Sequence, residues 1–147
     1  MDMKEFLFED LAKVKLNANN KYDAILELST LLYEKDFIED INGFISDVYE
    51  RENEGDTNIG QGIAIPHGKS EYVKKTSIAI GKIEPIDWES DDEDKIELII
   101  LFAVRNVDNT SVHLKLLSQI ATKLGDDDVL DMLKNAKTSK DLIEVFY

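Results

Sequence analysis

Apolar residues along the chain recur at helical spacing in some segments and form short continuous runs in others. A first helix is predicted to begin after Asn20, which with Asp23 has the pattern of a helix cap, and to run to about Asp36. Its apolar face consists of Tyr22, Ile25, Leu28 and Leu32. A second helix is predicted to end near Arg51 and Glu52, from apolar positions at i, i+3, i+4, i+7 and i+8, namely Ile41, Phe44, Ile45, Val48 and Tyr49.

Four apolar runs predict strands at residues 14–16, 63–65, 76–83 and 96–104. The third run places Ile78 and Ile80 on one face. The second and fourth runs are apolar on both faces, which is typical of a sheet covered by helices on both sides. In the last third of the chain, an apolar stripe predicts a helix that ends at Gly125, and residues 129–135 predict a short helix. The stripe consists of Leu114, Leu117, Ala121 and Leu124.

A capping pattern at Thr138 and Asp141 predicts a last helix that ends at Tyr147. Helices therefore flank the strands along the sequence, and the fold class expected is α/β, with residues 1–147 as a single layered domain. Between the third and fourth strands, residues 87–97 contain seven acidic residues and one lysine. This segment is predicted to be a solvated loop.

The composition narrows the classes of function. A formal charge of -14, from 17 basic and 31 acidic residues, opposes binding to nucleic acid and to anionic lipid. The absence of cysteine excludes disulfides and thiolate chemistry. No apolar stretch approaches the roughly 18 residues of a membrane span, and the N-terminus has no signal-peptide pattern, so we expect a cytoplasmic protein without membrane insertion.

The two histidines are the main candidates for chemistry near neutral pH. His67 follows Pro66 at the exit of the 63–65 strand, where Gly60, Gly62 and Gly68 permit close approach to the backbone. His113 lies in the first turn of its helix if Ser111 is the N-cap, a place that attracts anions. Each has a plainer explanation. His67 could simply close a turn, and His113 could be a half-buried residue packed beside Leu117.

Two further residues fit an anion site. Arg51 could satisfy the C-terminus of the second helix or bind a phosphoryl oxygen, for which a guanidinium is well suited. Thr57, in the loop that follows, is a possible hydroxyl donor. Taken together with the segment 57–68 (Thr-Asn-Ile-Gly-Gln-Gly-Ile-Ala-Ile-Pro-His-Gly), these residues resemble enzyme IIA (EIIA) of the bacterial sugar phosphotransferase system, fructose/mannitol type.

The resemblance extends to Pro85-Ile86-Asp87-Trp88, to Phe102-Ala103-Val104 and to His113-Leu114, and covers essentially the whole chain. Arg51 and His67 are 16 positions apart and His67 and His113 are 46 apart, as in the family. The glutamine at position 61, a variable position in the family, leaves the subtype open. The resemblance implies a central mixed β-sheet flanked by helices on both sides.

The resemblance also implies a mechanism. His67 would be the phosphorylated nucleophile, through Nε2, accepting the group from a phosphohistidine of the carrier protein HPr and passing it to a cysteine of enzyme IIB (EIIB), which serves the membrane transporter enzyme IIC. His113 would bind the phosphoryl oxygens and Arg51 would balance their charge. No cofactor and no obligatory metal are implied. Since the chain has neither cysteine nor membrane span, we expect it to contain no IIB or IIC part.

Three alternatives remain at this point. A nitrogen-related IIA-like regulator would share the fold and histidine, but would act by phosphorylation-dependent binding. A metal-dependent hydrolase could use His67, His113 and carboxylates, although it would leave Arg51 unexplained. A purely structural interaction domain would not need all three residues.

Overall fold

The computed structural model describes residues 1–89, 94–108 and 110–147, and five strands in these ranges form one mixed sheet. The strands are β1 (Leu7–Lys13), β2 (Ile63–Ala64), β3 (His67–Ser70), β4 (Ser77–Ile86) and β5 (Ile96–Arg105). Their order is β1-β4-β5-β2, with β3 also beside β5. β4 and β5 are antiparallel, whereas β1 is parallel to β4 and both β2 and β3 are parallel to β5.

Helices cover both faces of this sheet, which confirms the predicted α/β class. One face carries α1 (Lys21–Glu34) and α2 (Ile41–Glu54), and the other carries α3 (Thr110–Leu124), α4 (Asp127–Asn135) and α5 (Ser139–Glu144). Successive residues of β5 point to opposite faces. Ile100 and Phe102 pack with α3 to α5, while Leu101 and Ala103 pack with α1 and α2. Within the described residues, no helix has both the length and the apolar character that a membrane crossing requires.

The strand predictions were correct for β2, β4 and β5, whereas β1 was misplaced and β3 was missed. The first strand is not at residues 14–16 as predicted but is β1, where the charged residues Glu9 and Asp10 interrupt the apolar pattern expected of a strand. β3 was missed because His-Gly-Lys-Ser has no β-branched or apolar residue. β4 continues to Ile86, past Pro85, across a register shift that accommodates a residue without an N–H.

The helix positions were close to prediction, but some buried faces were not. In α3 the buried positions are Leu116, Ile120 and Leu124, and Leu114 of the predicted stripe is exposed. Tyr22 of the predicted α1 face is also exposed. Ser111 is a residue of α3, which begins at Thr110, so Ser111 is not the N-cap considered for this helix, although His113 does lie in its first turn.

The predicted caps at the other helices are present. The Asn20 side chain accepts from the Asp23 N–H at the start of α1, and Thr138 accepts from the Asp141 N–H at the start of α5, which is shorter than predicted. In the acidic segment 87–97, residues 90–93 lie outside the described part. Trp88 is buried and the last two residues belong to β5, so only part of the segment is a solvated loop.

Candidate functional site

The first candidate residue, His67, lies on the edge of the sheet where β2 and β3 run along β5 in one continuous register. Ile63 pairs with Leu98 and His67 pairs with Phe102, with Pro66 at the break between the two strands. The Pro66 carbonyl still accepts from the Phe102 N–H, at 2.9 Å. His67 therefore begins a strand and does not simply close a turn after one.

Local backbone geometry explains the sequence on both sides of His67. Gly60, Gln61 and Gly62 all have positive φ, of 83°, 58° and 82°, which makes the glycines favourable in the turn that enters β2. At Gly68 the reason is space, because a Cβ there would lie 2.4 Å from Cε1 of Phe44 on α2. Gly68 thus allows α2 to pack directly against β3.

Since directly paired residues point to the same face, the His67 side chain lies with Phe102 on the α3 side of the sheet. The centroids of these two rings are 4.9 Å apart. His113, on the first turn of α3, faces His67 at 5.1 Å between ring centroids, with the two rings at 89°. The site is therefore over the face of the sheet at its edge, rather than beyond the carboxyl ends of the strands.

Each imidazole keeps an unused nitrogen. The Nε2 atoms of His67 and His113 are buried, and neither has a hydrogen-bond partner in the described part of the chain. An unpaired buried polar atom is costly and points to a role outside folding. Two such atoms on facing rings form a place where an electrophilic or anionic group can be bound.

The electrostatics of the site keep both rings neutral at pH 7. Burial, followed by the effects of His113 and Arg51, lowers the pKa of His67 to about 4. Burial also lowers the pKa of His113, with contributions from the positive charges of Lys69 and Arg51. A neutral imidazole has a free lone pair, so His67 can act as a nucleophile without prior deprotonation.

Arg51 belongs to α2, in the helical layer on the opposite face of the sheet from His67. It lies in the last turn of α2, and its Nη1 donates to the Gly55 carbonyl at 2.9 Å, which satisfies the end of that helix. Its charge nevertheless acts on both histidines. The helix-capping and anion-binding interpretations of Arg51 are thus compatible, because a guanidinium has five N–H donors.

Thr57 lies in the loop after α2 and is only 2% exposed. Its hydroxyl donates to the Glu52 carboxylate and accepts from the Trp88 indole N–H at 3.4 Å. The hydroxyl hydrogen is therefore engaged within the protein, in contrast to the free donor that the sequence suggested.

Lys69 is a further candidate residue, which the sequence pattern did not indicate. It is two positions after His67 on β3, so both side chains lie on the same face of the strand, and its charge contributes to the low pKa of His113. The period of two would have revealed this placement if β3 had been recognised. Lys69 adds positive charge beside the histidines on a strongly acidic chain.

The buried neutral His67 makes stability depend on pH. Its pKa is about 4 in the folded protein against an ordinary value of 6.5, so the unfolded chain binds the proton more readily between these values. The contribution of His67 to stability is therefore greatest above pH 6.5, and between pH 7 and pH 5 its protonation in the unfolded chain should lower the free energy of unfolding by about 2 kcal/mol. Urea unfolding at the two pH values measures this. His67→Gln should show a smaller pH effect, and an equal one would contradict the assignment.

Within residues 1–89, 94–108 and 110–147, no group of three or more His, Asp or Glu side chains is arranged to hold a metal ion. The arrangement consists instead of a neutral nucleophile, a second imidazole and cationic side chains. Such a set suits the transfer of an anionic group, since phosphoryl transfer depends mainly on alignment and on charge stabilisation.

Two relatives among known proteins each match more than nine-tenths of this chain. The 2-O-alpha-mannosyl-D-glycerate-specific EIIABC component of the PTS from Escherichia coli K12 is 29% identical over 145 residues, which are 97% of this chain and 22% of the relative. The mannitol-specific phosphotransferase enzyme IIA component from Halalkalibacterium halodurans is 29% identical over 142 residues, 93% of this chain and 91% of the relative. The chain spans only 15% to 23% of the length of three longer curated relatives.

Among solved structures, the nitrogen regulatory protein IIA-Ntr from Neisseria meningitidis superposes with a TM-score of 0.87 at 25% identity, over 97% of each chain. A family model described as phosphoenolpyruvate-dependent sugar phosphotransferase system, EIIA 2, matches residues 5–147. That match covers the arginine, both histidines and the strands and helices that position them. The chain belongs to this EIIA 2 family of phosphotransferase-system components.

Proposed function

We propose that this protein is a phosphoryl carrier that forms a phosphohistidine at Nε2 of His67. The donor is the phosphohistidine of HPr, and the recipient is a cysteine of EIIB that serves the membrane component enzyme IIC. The observation that carries the proposal is the pair of facing, neutral imidazoles whose buried Nε2 atoms are unused, together with the charge of Arg51 that acts on both rings. Residues 1–147 act as one domain in this proposal.

The transfer needs no external cofactor. The Nε2 lone pair of His67 attacks phosphorus, the P–N bond of the donor breaks, and its electron pair returns to the donor imidazole. In the second step a thiolate of EIIB attacks, and the electron pair of the P–N bond returns to His67. Since the first step exchanges one phosphoramidate for another, it is close to thermoneutral and reversible.

The remaining residues stabilise charge around the phosphoryl group. His113 faces His67 and, as a neutral imidazole, can donate one hydrogen bond to a phosphoryl oxygen. Arg51 and Lys69 supply positive charge that balances the dianion. Electrostatic stabilisation of this kind is worth most in a water-poor site, and His67 is 6% exposed.

The first test is phosphorylation of the wild-type protein. Incubation with phosphoenolpyruvate, enzyme I and HPr, with a chelator present, should add the mass of one acid-labile phosphoryl group, and phosphorus NMR should assign it to Nε2. Omitting HPr is the control for dependence on the donor. If the protein stays unmodified while the same mixture phosphorylates a known EIIA domain, the carrier proposal fails.

A second candidate function is supported by the superposition on the nitrogen regulatory protein IIA-Ntr. A regulator of this kind would use the same phosphohistidine chemistry, but phosphorylation would control binding to another protein instead of sugar uptake. Adding EIIB to the phosphorylated protein separates the two. Transfer to the EIIB cysteine supports the transport function, whereas a stable phosphoprotein with every EIIB tested supports regulation.

A further inference from the structure

A buried ion pair joins the last turn of α2 to the first residue of α1. Glu52, next to Arg51 in the last turn of α2, has a side chain only 4% exposed, and its carboxylate accepts from Nζ of Lys21 at 3.0 Å. Lys21 is the first residue of α1, and its side chain is 9% exposed. Burying two charges costs desolvation energy that an apolar pair would avoid, so the pair is better explained by specificity of position than by stability.

Aromatic rings enclose the ammonium group of this pair. Lys21 Nζ lies 5.0 Å from the centre of the Trp88 ring and 5.6 Å from that of Tyr49. Burial and nearby carboxylates raise the pKa of Tyr49 to about 12, so this ring stays neutral. The pair is thus held in a fixed, water-poor environment that joins α1, α2 and the segment after β4.

The second contact of Glu52 leads to the strand that carries His67. The Thr57 hydroxyl donates to the Glu52 carboxylate, and the Thr57 carbonyl accepts from the N–H of Ile65 at 2.9 Å. Ile65 is followed by Pro66, whose fixed φ leaves little freedom before His67. One carboxylate therefore connects the helix end that presents Arg51 with the segment that enters His67.

We propose that Glu52, paired with Lys21 and bonded to Thr57, is the positioning residue that fixes Arg51 relative to His67. This inference rests on the proposed phosphoryl transfer, to which Glu52 contributes without touching the reacting group. Positioning matters here because a displacement of about 1 Å in a reacting pair can lower a rate about 100-fold. Thr57 then acts as a link in the protein and not as a ligand of the phosphoryl oxygens.

The test uses Glu52→Gln and Thr57→Val in the full chain. Glu52→Gln removes the negative charge of the ion pair. Thr57→Val keeps the ion pair but removes the hydroxyl that bonds to Glu52, so the proposal can still be tested if Glu52→Gln does not fold. The matched control is Glu27→Gln, which breaks the Lys13–Glu27 pair, also 3.0 Å, at the other side of α1. We expect phosphorylation by phospho-HPr at saturating donor to slow about 10- to 100-fold in both test variants, and to be unchanged in the control.

NMR titration of His67 gives a second readout that needs no phosphorylation. Arg51 lowers the pKa of His67, so a displaced Arg51 should raise it in both variants. Loss of the negative charge of Glu52, with Arg51 still in place, would instead lower the pKa of His67. The direction of the change therefore separates a positioning role from a direct charge effect. The double variant should be no slower than the slower single variant if the residues act in one chain of contacts.

The outcomes are distinct for the two proposals. A wild-type protein that takes no phosphoryl group overturns the carrier function, and the titration still decides whether Glu52 positions Arg51. If both variants keep the wild-type pKa of His67, the positioning role is wrong whatever the rates. A slow Thr57→Val beside a Glu52→Gln of wild-type rate would also overturn it, since Thr57 would then act directly on the phosphoryl group.

Discussion

The His67→Ala variant is expected to gain no phosphoryl group from phospho-HPr, under conditions in which the wild-type protein is fully modified. The side chain supplies the bond-forming atom itself, so no other group can replace it by stabilising charge. His67 Nε2 has no hydrogen-bond partner in the described part of the chain, so the substitution removes no hydrogen bond made at this atom. Intact-protein mass over time, with circular dichroism to check the fold, measures the result.

The second histidine provides the control for this result. The chain has only two histidines, so His113→Ala leaves His67 as the sole candidate acceptor. We expect this variant to reach the same final extent of modification as the wild type, but slowly. A phosphorylated His67→Ala, or a His113→Ala that stays unmodified at long times, would show that the roles assigned to the two rings are wrong.

The sequence was most informative where chemistry and packing require particular residues at fixed spacing. The long apolar run of β5 and the Pro66-His67 segment predicted the covered sheet and the histidine at its edge. In the structure His113 faces His67, at 5.1 Å between ring centroids. The candidate site could be proposed from the sequence because the spacing of Arg51 and the two histidines resembles that of the family.

The edge strands β1 and β3 and the buried face of α3 could not be predicted from the sequence, for physical reasons. β1 and β3 pair on one side only, so polar residues such as Glu9 and Lys69 are tolerated there and hide the alternation. In α3 the sequence allows two apolar stripes that are offset by one residue, one through Leu117 and Ala121 and the other through Leu116 and Ile120. The orientation that buries Leu116 and exposes Leu114 is chosen by tertiary packing, which local spacing does not report.

The contacts of Thr57 show a third kind of limit. A threonine in a glycine-bearing loop beside Arg51 has the right chemistry to bind a phosphoryl oxygen. Its actual partners, Glu52 and Trp88, are 5 and 31 positions away, and the second belongs to a segment predicted to be solvated. Only the folded arrangement shows that this hydroxyl is committed inside the protein.

Slower phosphorylation, by about 100- to 1000-fold, is expected for His113→Ala, the range found when one donor to a developing anion is removed. The His113 ring stands perpendicular to that of His67, at 5.1 Å between centroids, and its buried Nε2 has no hydrogen-bond partner in the described part of the chain. Since the loss arises in the transition state, it should appear in the rate at saturating donor and not in donor affinity. His113→Gln, which keeps an N–H donor, should recover part of the rate.

The same variants provide a check without phosphorylation, because His113 lowers the pKa of His67. That pKa should rise in His113→Ala yet stay below 6.5, since burial is its largest cause, and an unchanged pKa with an unchanged rate would remove His113 from the site.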